Sequence, residues 1–197
     1  MPWEKAFDEE AAVDCAMQVF WEKGYGNASM ADLLAATGVT RGSLYNAFGG
    51  KHQLFIRSLT KYDQENRRQV LGELEALDDP RAAISGLFDS VIAETTEDKQ
   101  RKGCFLINTA LEILQHEKDV SELVTKGLRE TEGFFRRCIE VGQARDEIPS
   151  HINAEATAKT FMATLVAVRV LGRGVFSQDE LVTVARQATR LIEREEP

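Results

Sequence analysis

The chain has 197 residues, enough for one large domain or two small ones, and its 43% hydrophobic and 28% charged content is that of an ordinary globular protein. Its 24 Lys+Arg against 32 Asp+Glu leave a net charge of −8. That excludes coating nucleic acid by charge alone and a polybasic membrane anchor, but leaves room for a small, local DNA-reading surface.

Apolar residues recur at helical spacing almost throughout, with no Asn-Gly or Asp-Gly hairpin signal, so an all-α fold of about nine helices is expected. The first covers residues 8–23, with Ala12, Ala16, Val19 and Phe20 on one side and Gly24 and Gly26 as the stop. Two short helices follow, at 30–37 and 41–48. A long one spans 51–77 and would reach roughly 40 Å. Asp78, Asp79 and Pro80 end it, and Pro80 takes a first-turn position in a helix over 80–96. A polar loop at 97–102 leads to helices over 104–117 and 120–145, and Pro149 breaks the chain again.

The last two helices, 154–171 and 178–194, differ in character. The first is apolar almost all round, with Ala156, Thr160, Ala163, Thr164 and Ala167 recurring along it, and needs covering on both sides. The second carries Leu181, Val184, Ala185, Ala188, Leu191 and Ile192 as a stripe. These two helices could be intrachain core, or could pair with a second copy into a four-helix bundle. The second arrangement is favoured because it covers both faces, which makes a homodimer the expected assembly. The run 161–172 is interrupted by Arg169 and is shorter than the roughly twenty residues that cross a bilayer, so no membrane association is expected. Glu4, Asp8, Glu9 and Glu10 stand where a signal peptide would be basic and then apolar, so a cytoplasmic location is expected.

The informative stretch is NASMADLLAATGVTRGSLYNAFGGKHQL, residues 27–54. Ser29, with Asp32 three residues on, makes a capping box in which Asp replaces Glu. Gly38 closes one short helix in a left-handed conformation, and Thr40 caps the next only two residues later. So tight a turn is the helix-turn-helix unit, although two short helices around a glycine are often only core. Val39, Leu44 and Phe48 supply the inward side. Thr40, Arg41, Gly42, Ser43, Tyr45 and Asn46 form the other, where helix N-termini and hydroxyls suit phosphates, and Arg and Asn suit guanine and adenine edges. From Arg41 to Arg68 six cations face two carboxylates, so a positive footprint begins at the second short helix.

At these residues the chain becomes recognisable. FDEEAAVDCAMQVFWEKGYGNASMADLLAATGVTRGSLYNAFGGKHQLF, residues 7–55, closely resembles the N-terminal DNA-binding domain of TetR/AcrR-family transcriptional regulators. The resemblance implies a helix-turn-helix domain at 1–50 and a helical effector-binding and dimerisation domain at 51–197. It implies a repressor released from double-stranded operator DNA by a small molecule, with no enzymatic activity. It places Ser29, Thr40, Arg41, Gly42, Ser43, Tyr45, Asn46 and Lys51 at DNA-contact positions. Arg41 and Asn46 are then base readers, Ser29, Thr40, Tyr45 and Lys51 hold phosphates, and Gly42 allows close backbone approach.

A second cluster is KQRKGCFLINTALE, residues 99–112. Cys104 opens a helix just after Lys99, Arg101 and Lys102, a setting that favours thiolate. The segment resembles a Gly-Cys-apolar motif in a branch of the family that includes electrophile- and oxidant-sensing repressors. Cys104 is thus either a sensor or a packing residue, whereas Cys15 is expected in the core and Cys138 is a bystander. The effector cavity is expected among the middle helices, walled by Phe88, Ile92, Cys104, Phe105, Asn108, Leu111, Phe134 and Phe161. His52, His116 and His151 lack ligand spacing, so no metal and no cofactor are expected. No phosphate loop, dinucleotide fingerprint or nucleophile–base pair is present. An all-α interaction adaptor or an enzyme with an unfamiliar site are the alternatives.

Overall fold

A computed structural model describes residues 7–193. In chain order the helices are α1 (Glu9–Asn27), α2 (Met30–Thr37), α3 (Arg41–Phe48), α4 (Lys51–Tyr62), α5 (Gln69–Glu75), α6 (Pro80–Glu97), α7 (Phe105–Leu111), α8 (Lys118–Ala144), α9 (Ala154–Leu171) and α10 (Gln178–Thr189). A π-helical stretch, Asp63–Arg68, joins α4 to α5 without a break, so the two form one rod and the fold has nine helices among the described residues. No helix there is long and apolar enough to cross a membrane.

Local chemistry sets the boundaries. Asp8 accepts from the amides of Glu10 and Ala11 to start α1, Asp79 accepts from those of Arg81 and Ala82 beside Pro80 to start α6, and Asn153 accepts from that of Ala156 to start α9. Ser177 and Glu180 form a reciprocal capping box on α10. Gly24 leaves helical geometry at φ 74°, and the chain recovers one more turn before α2. The helix expected over 104–117 stops at Leu111 and tightens into a 3₁₀ turn, Ile113–Gln115. Leu111 and Leu114 there face solvent, so no apolar stripe holds a longer helix in place. At the C-terminus α10 ends in a 3₁₀ turn, Arg190–Ile192; the expected helix end at residue 194 and the acidic Glu4 lie outside the described residues.

Two apolar clusters organise the packing. The first gathers Ala12, Ala16, Phe20, Leu33, Leu44, Phe48, Leu54, Phe55 and Leu59 from α1–α4, and is completed by Phe105, Leu106, Val120 and Val124 of α7 and α8. The second lies among α5, α6, α8, α9 and α10 around Phe88, Phe134, Phe135 and Phe161. Phe161 is fully buried, edge-on to Phe88 at 5.9 Å and to Phe135 at 5.3 Å between ring centroids.

Cys15 is not in the core. It is exposed on α1, in a stripe with Ala11, Gln18 and Glu22, opposite the buried Ala12, Ala16 and Phe20. Cys138 is buried in the second cluster, where desolvation pushes its thiol up to about 11 and leaves it unreactive at neutral pH.

Truncating Phe161 to Ala removes a ring from the centre of the second cluster. A loss of about 3–5 kcal/mol is expected, read from the urea midpoint at unchanged slope.

Candidate functional site

The segment between α2 and α3 is built as its residues dictate. Ser29 accepts from the Asp32 amide at 3.1 Å, and Asp32 accepts from the Ser29 amide at 2.9 Å, closing the capping box. Gly38 sits at φ 67°, the left-handed region where a side chain is strained. Thr40 accepts from the Ser43 amide at 3.2 Å to start α3. Leu33, Val39, Leu44 and Phe48 are buried and fix the angle between the two helices. Thr40, Arg41, Gly42, Tyr45 and Asn46 are thereby left exposed on one side of α3, with Ser43 half-buried between them. Tyr45 is 49% exposed, and its ring rests on Gly50, where an added Cβ would lie 3.3 Å away. The Ser29 hydroxyl is exposed at the start of α2 but hydrogen-bonds to Asp32. Lys51 is half-buried with its ammonium 4.4 Å from the centroid of the Tyr25 ring, and burial lowers its pKa.

The tertiary fold redistributes the charge that a count along the chain assigns to this region. Arg57 pairs with Glu9, Lys61 with Asp14, and Arg67 and Arg68 with Asp63 and Glu130. Of the six cations between 41 and 68, Arg41 and Lys51 have no ion-pair partner among the described residues. On α2, Asp32 is matched by Lys23 at 2.6 Å, which with the Ser29 hydrogen bonds holds its carboxyl well below the usual range. The exposed side of α3 is therefore positive at Arg41 although the whole chain is acidic.

Behind this unit lies a cavity of about 60 Å³ between the α4–α5 rod and α6, α8 and α9. Val70, Leu71, Leu87, Leu128, Met162 and Leu165 give it apolar walls. Tyr62, Asn66, Arg67, Ser90, Glu94, Cys104, Thr131 and Arg169 supply its polar groups. Cys104, half-buried at the N-cap of α7, neighbours Tyr62, whose phenol is pushed up first by burial and then by this thiol. Of the cations expected around Cys104, Lys102 binds Gln18 at 2.8 Å and Arg101 lies against Gly174, and the cation on the cavity wall with Cys104 is Arg169.

Of the residues expected to wall the cavity, Cys104 alone does so. Phe88, Ile92, Phe134 and Phe161 plug the second cluster, because their rings and methyls fill the space between helices instead of bordering a void. Phe105, Asn108 and Leu111 lie on a separate surface cleft with Trp21, Tyr25 and His116, and Leu111 is 67% exposed. Folding also brings His52 to Asp119 at 2.8 Å and to Glu117 at 3.6 Å, a meeting of the α4 and α8 starts that chain spacing conceals. The imidazole turns one nitrogen to each carboxylate, so the group is a polar tie between helices.

Comparison with known proteins agrees with this geometry. Residues 12–57 match the family model described as bacterial regulatory proteins, tetR family, and residues 80–189 match that of the tetracyclin repressor-like C-terminal domain. The chain is 28% identical to the HTH-type transcriptional repressor ComR of Escherichia coli (strain K12), over 95% of this chain and 90% of ComR. It is 26% identical to the HTH-type transcriptional repressor DhaR of Mycobacterium sp. (strain GP1), over 89% of each chain. Among solved structures it is similar to a cysteine mutant of the TetR family transcriptional regulator CifR complexed with 26bp double-strand operator DNA, at a TM-score of 0.82 and 28% identity, over 94% of this chain and 97% of that one.

The two glycines around the turn should respond differently to a methyl group. Gly38→Ala is expected to cost roughly 1 kcal/mol through its positive φ. Gly42→Ala, in helical geometry with open space around its Cβ position, should instead raise the urea midpoint, by about 0.4–1 kcal/mol of stability.

Proposed function

The chain belongs to the TetR family of bacterial regulatory proteins, a family of DNA-binding transcriptional repressors and not of enzymes, and from that premise we propose that it acts in the cytoplasm as a homodimer that releases its operator when a small molecule enters the cavity at Cys104. The observation that carries this reading is the exposed row of Arg41, Tyr45 and Asn46 on a helix held by buried Leu44 and Phe48, with Arg41 free of any ion pair among the described residues. Arg41 and Asn46 then read base edges in the major groove, and Thr40, Ser43, Tyr45 and Lys51 hold phosphates. Gly42 lets the backbone approach the duplex. Ser29 joins them at the start of α2, after its hydroxyl turns from Asp32. Residues 1–50 read DNA, and 51–197 sense and dimerise.

Dimerisation is supported by the face of α9 that its own chain leaves open. Thr157, Ala158, Phe161, Leu165 and Val168 are buried inward. Ala156, Thr160, Ala163 and Val170 remain exposed outward. Thr160 and Thr164 bond back to the carbonyls four residues earlier, so the outward face presents methyl groups. On α10, Leu181, Ala185 and Ala188 pack inside, and Leu191, in the 3₁₀ turn that follows, is 48% exposed. Two such faces pair into a four-helix bundle. Operator release then follows from a change in the spacing of two α3 helices, which must match successive major grooves roughly 34–36 Å apart. A coupling of about 1–3 kcal/mol is sufficient.

Cys104 in the cavity wall supports an electrophile or oxidant as effector, since a reagent that enters meets a thiol directly. The exposed Cys15 would react as well, so the test uses Cys15→Ser protein. There, alkylation of Cys104 should release the operator, and Cys104→Ser should abolish that release. Release that persists without Cys104 would refute a covalent effector.

Two measurements test the core of the proposal. In a mobility shift the protein should prefer one fragment from its own upstream region and weaken steeply with salt. Arg41→Ala should lose about 1–3 kcal/mol of binding and relax base preference; unchanged selectivity would remove its assigned role. Sedimentation should give a dimer that Ala163→Arg splits, and a wild-type monomer at micromolar concentration would remove the two-half-site model.

A further inference from the structure

Outside the cavity at Cys104 lies a surface cleft of about 290 Å³, between α1, the end of α6 and the loop 98–103. Two residues border both spaces, Glu94 of α6 and Arg169 of α9. Each helix runs from one space towards the other. On α6, Leu87, Ser90 and Val91 line the cavity, Glu94 stands at the boundary, and Glu97 and Asp98 line the cleft. On α9, Met162 and Leu165 line the cavity two turns and one turn before Arg169.

An ion pair closes the boundary. Arg169 Nη2 donates to Glu94 Oε2 at 2.5 Å, with Arg169 nearly buried and Glu94 half-exposed. Burial works against the Arg169 charge, and the Glu94 hydrogen bond, then Cys104 and Tyr62 on the inner wall, more than restore it. The guanidinium is thus within electrostatic reach of the thiol while it holds the outer carboxylate. Beyond the pair α6 and α9 touch, where Gly172 lies against the Thr95 methyl with no room for a Cβ. The passage therefore opens by rotation of two side chains while the helices stay in place.

Charge is set against anions on both sides. The cleft carries Glu94, Glu97 and Asp98 against Arg169 and Lys102. Lys102 is held by Gln18, and Glu97 has no ion-pair partner among the described residues. Inside, Arg67 is the other cation on the wall, and it is closed into an ionic ring with Asp63, Arg68 and Glu130 that ties the rod to α8. An anion meets carboxylates at the mouth and finds no unmatched cation within. An uncharged molecule meets neither barrier.

We propose that Glu94 and Arg169 form the selectivity gate of the effector site, with the cleft as its vestibule, and that they admit uncharged electrophiles to Cys104 and turn anions away. This rests on the reading of the cavity as the effector site.

The test uses full-length Cys15→Ser protein and two thiol reagents of similar size, n-propyl methanethiosulfonate and its anionic 2-sulfonatoethyl counterpart. In each the Cys104 thiolate attacks the outer sulfur, forms a mixed disulfide and releases methanesulfinate. Labelling of the Cys104 peptide is followed by mass spectrometry, and each rate is divided by that of 2-mercaptoethanol. The anion should react at least about tenfold more slowly than the neutral reagent. Glu94→Gln unlocks the pair and leaves Arg169 without its anion, so the anion-to-neutral ratio should rise about tenfold. A general loosening of the fold, or a change in thiolate fraction, would move both rates together and leave the ratio alone. Glu122→Gln removes an exposed carboxylate of α8 that borders neither space, and should leave the ratio unchanged.

Equal rates for the two reagents, an unchanged ratio in Glu94→Gln, or the same rise in Glu122→Gln would overturn the inference. If Glu94→Gln does not fold, Glu97→Gln at the exposed mouth decides: the ratio rises roughly threefold, or the gate is refuted. A mobility shift run in parallel keeps the two readings apart. Labelled protein that still holds its operator leaves the gate standing and refutes Cys104 as the effector thiol. Operator release with an unchanged ratio refutes the gate alone.

Discussion

The structure depends on an aromatic junction where the DNA-reading helices meet the rest of the chain. Phe55 packs on Phe20 at 5.0 Å and on Phe105 at 5.7 Å, and Trp21 packs on Tyr62 at 4.9 Å and on Phe105 at 6.1 Å. The Trp21 indole donates to the Gly103 carbonyl at 2.9 Å, so α1 holds the backbone beside Cys104. Rings of this size bury large apolar areas and prefer a few edge and offset arrangements, so they resist small continuous slips. α1, α4 and α7 are fixed together by one set of contacts, and the cavity begins on its far side at Tyr62 and Cys104.

That placement explains how a binding event behind the junction can reach α3 without touching it. α3 is held to α1 and α4 by Leu44 and Phe48 and has little freedom of its own. α4 carries the junction at Phe55 and Tyr62 and continues into the π-helical stretch, where the Arg67 ring clamps it to α8. In the proposed mechanism a change in that clamp would tilt a rod with the reading head at its other end, and the His52–Asp119 tie marks a second point where α4 and α8 are linked. Packed elements joined by such clamps tend to have discrete arrangements, which is what a regulator needs in place of graded flexibility.

The electrostatics follow the same division. An acidic chain can present a positive reading surface because most of its cations near that surface are matched at home. Lys23 neutralises Asp32, Glu9 and Asp14 take Arg57 and Lys61, and the ionic ring takes Arg67 and Arg68. The field outside α3 is then set by the few charges left over, chiefly Arg41.

The sequence by itself determined most of the helices, and the caps and turn between α2 and α3. These are local: Gly38 must be left-handed, Ser29 and Thr40 must cap, and the spacing of Val39, Leu44 and Phe48 must turn Arg41, Tyr45 and Asn46 outward. It also made α9 apolar all round, a pattern that a single covered face does not satisfy. Only the tertiary structure decided where space is left over. Phe88, Phe134 and Phe161 read as cavity walls along the chain but fill the core, because whether a ring borders a void depends on how neighbouring helices approach. The same holds for Cys15, placed on the open side of α1 by a register that its small neighbours did not reveal. It holds too for the ring of Asp63, Arg67, Arg68 and Glu130, whose last member is more than sixty positions from its first and meets it only when α8 folds back on the rod.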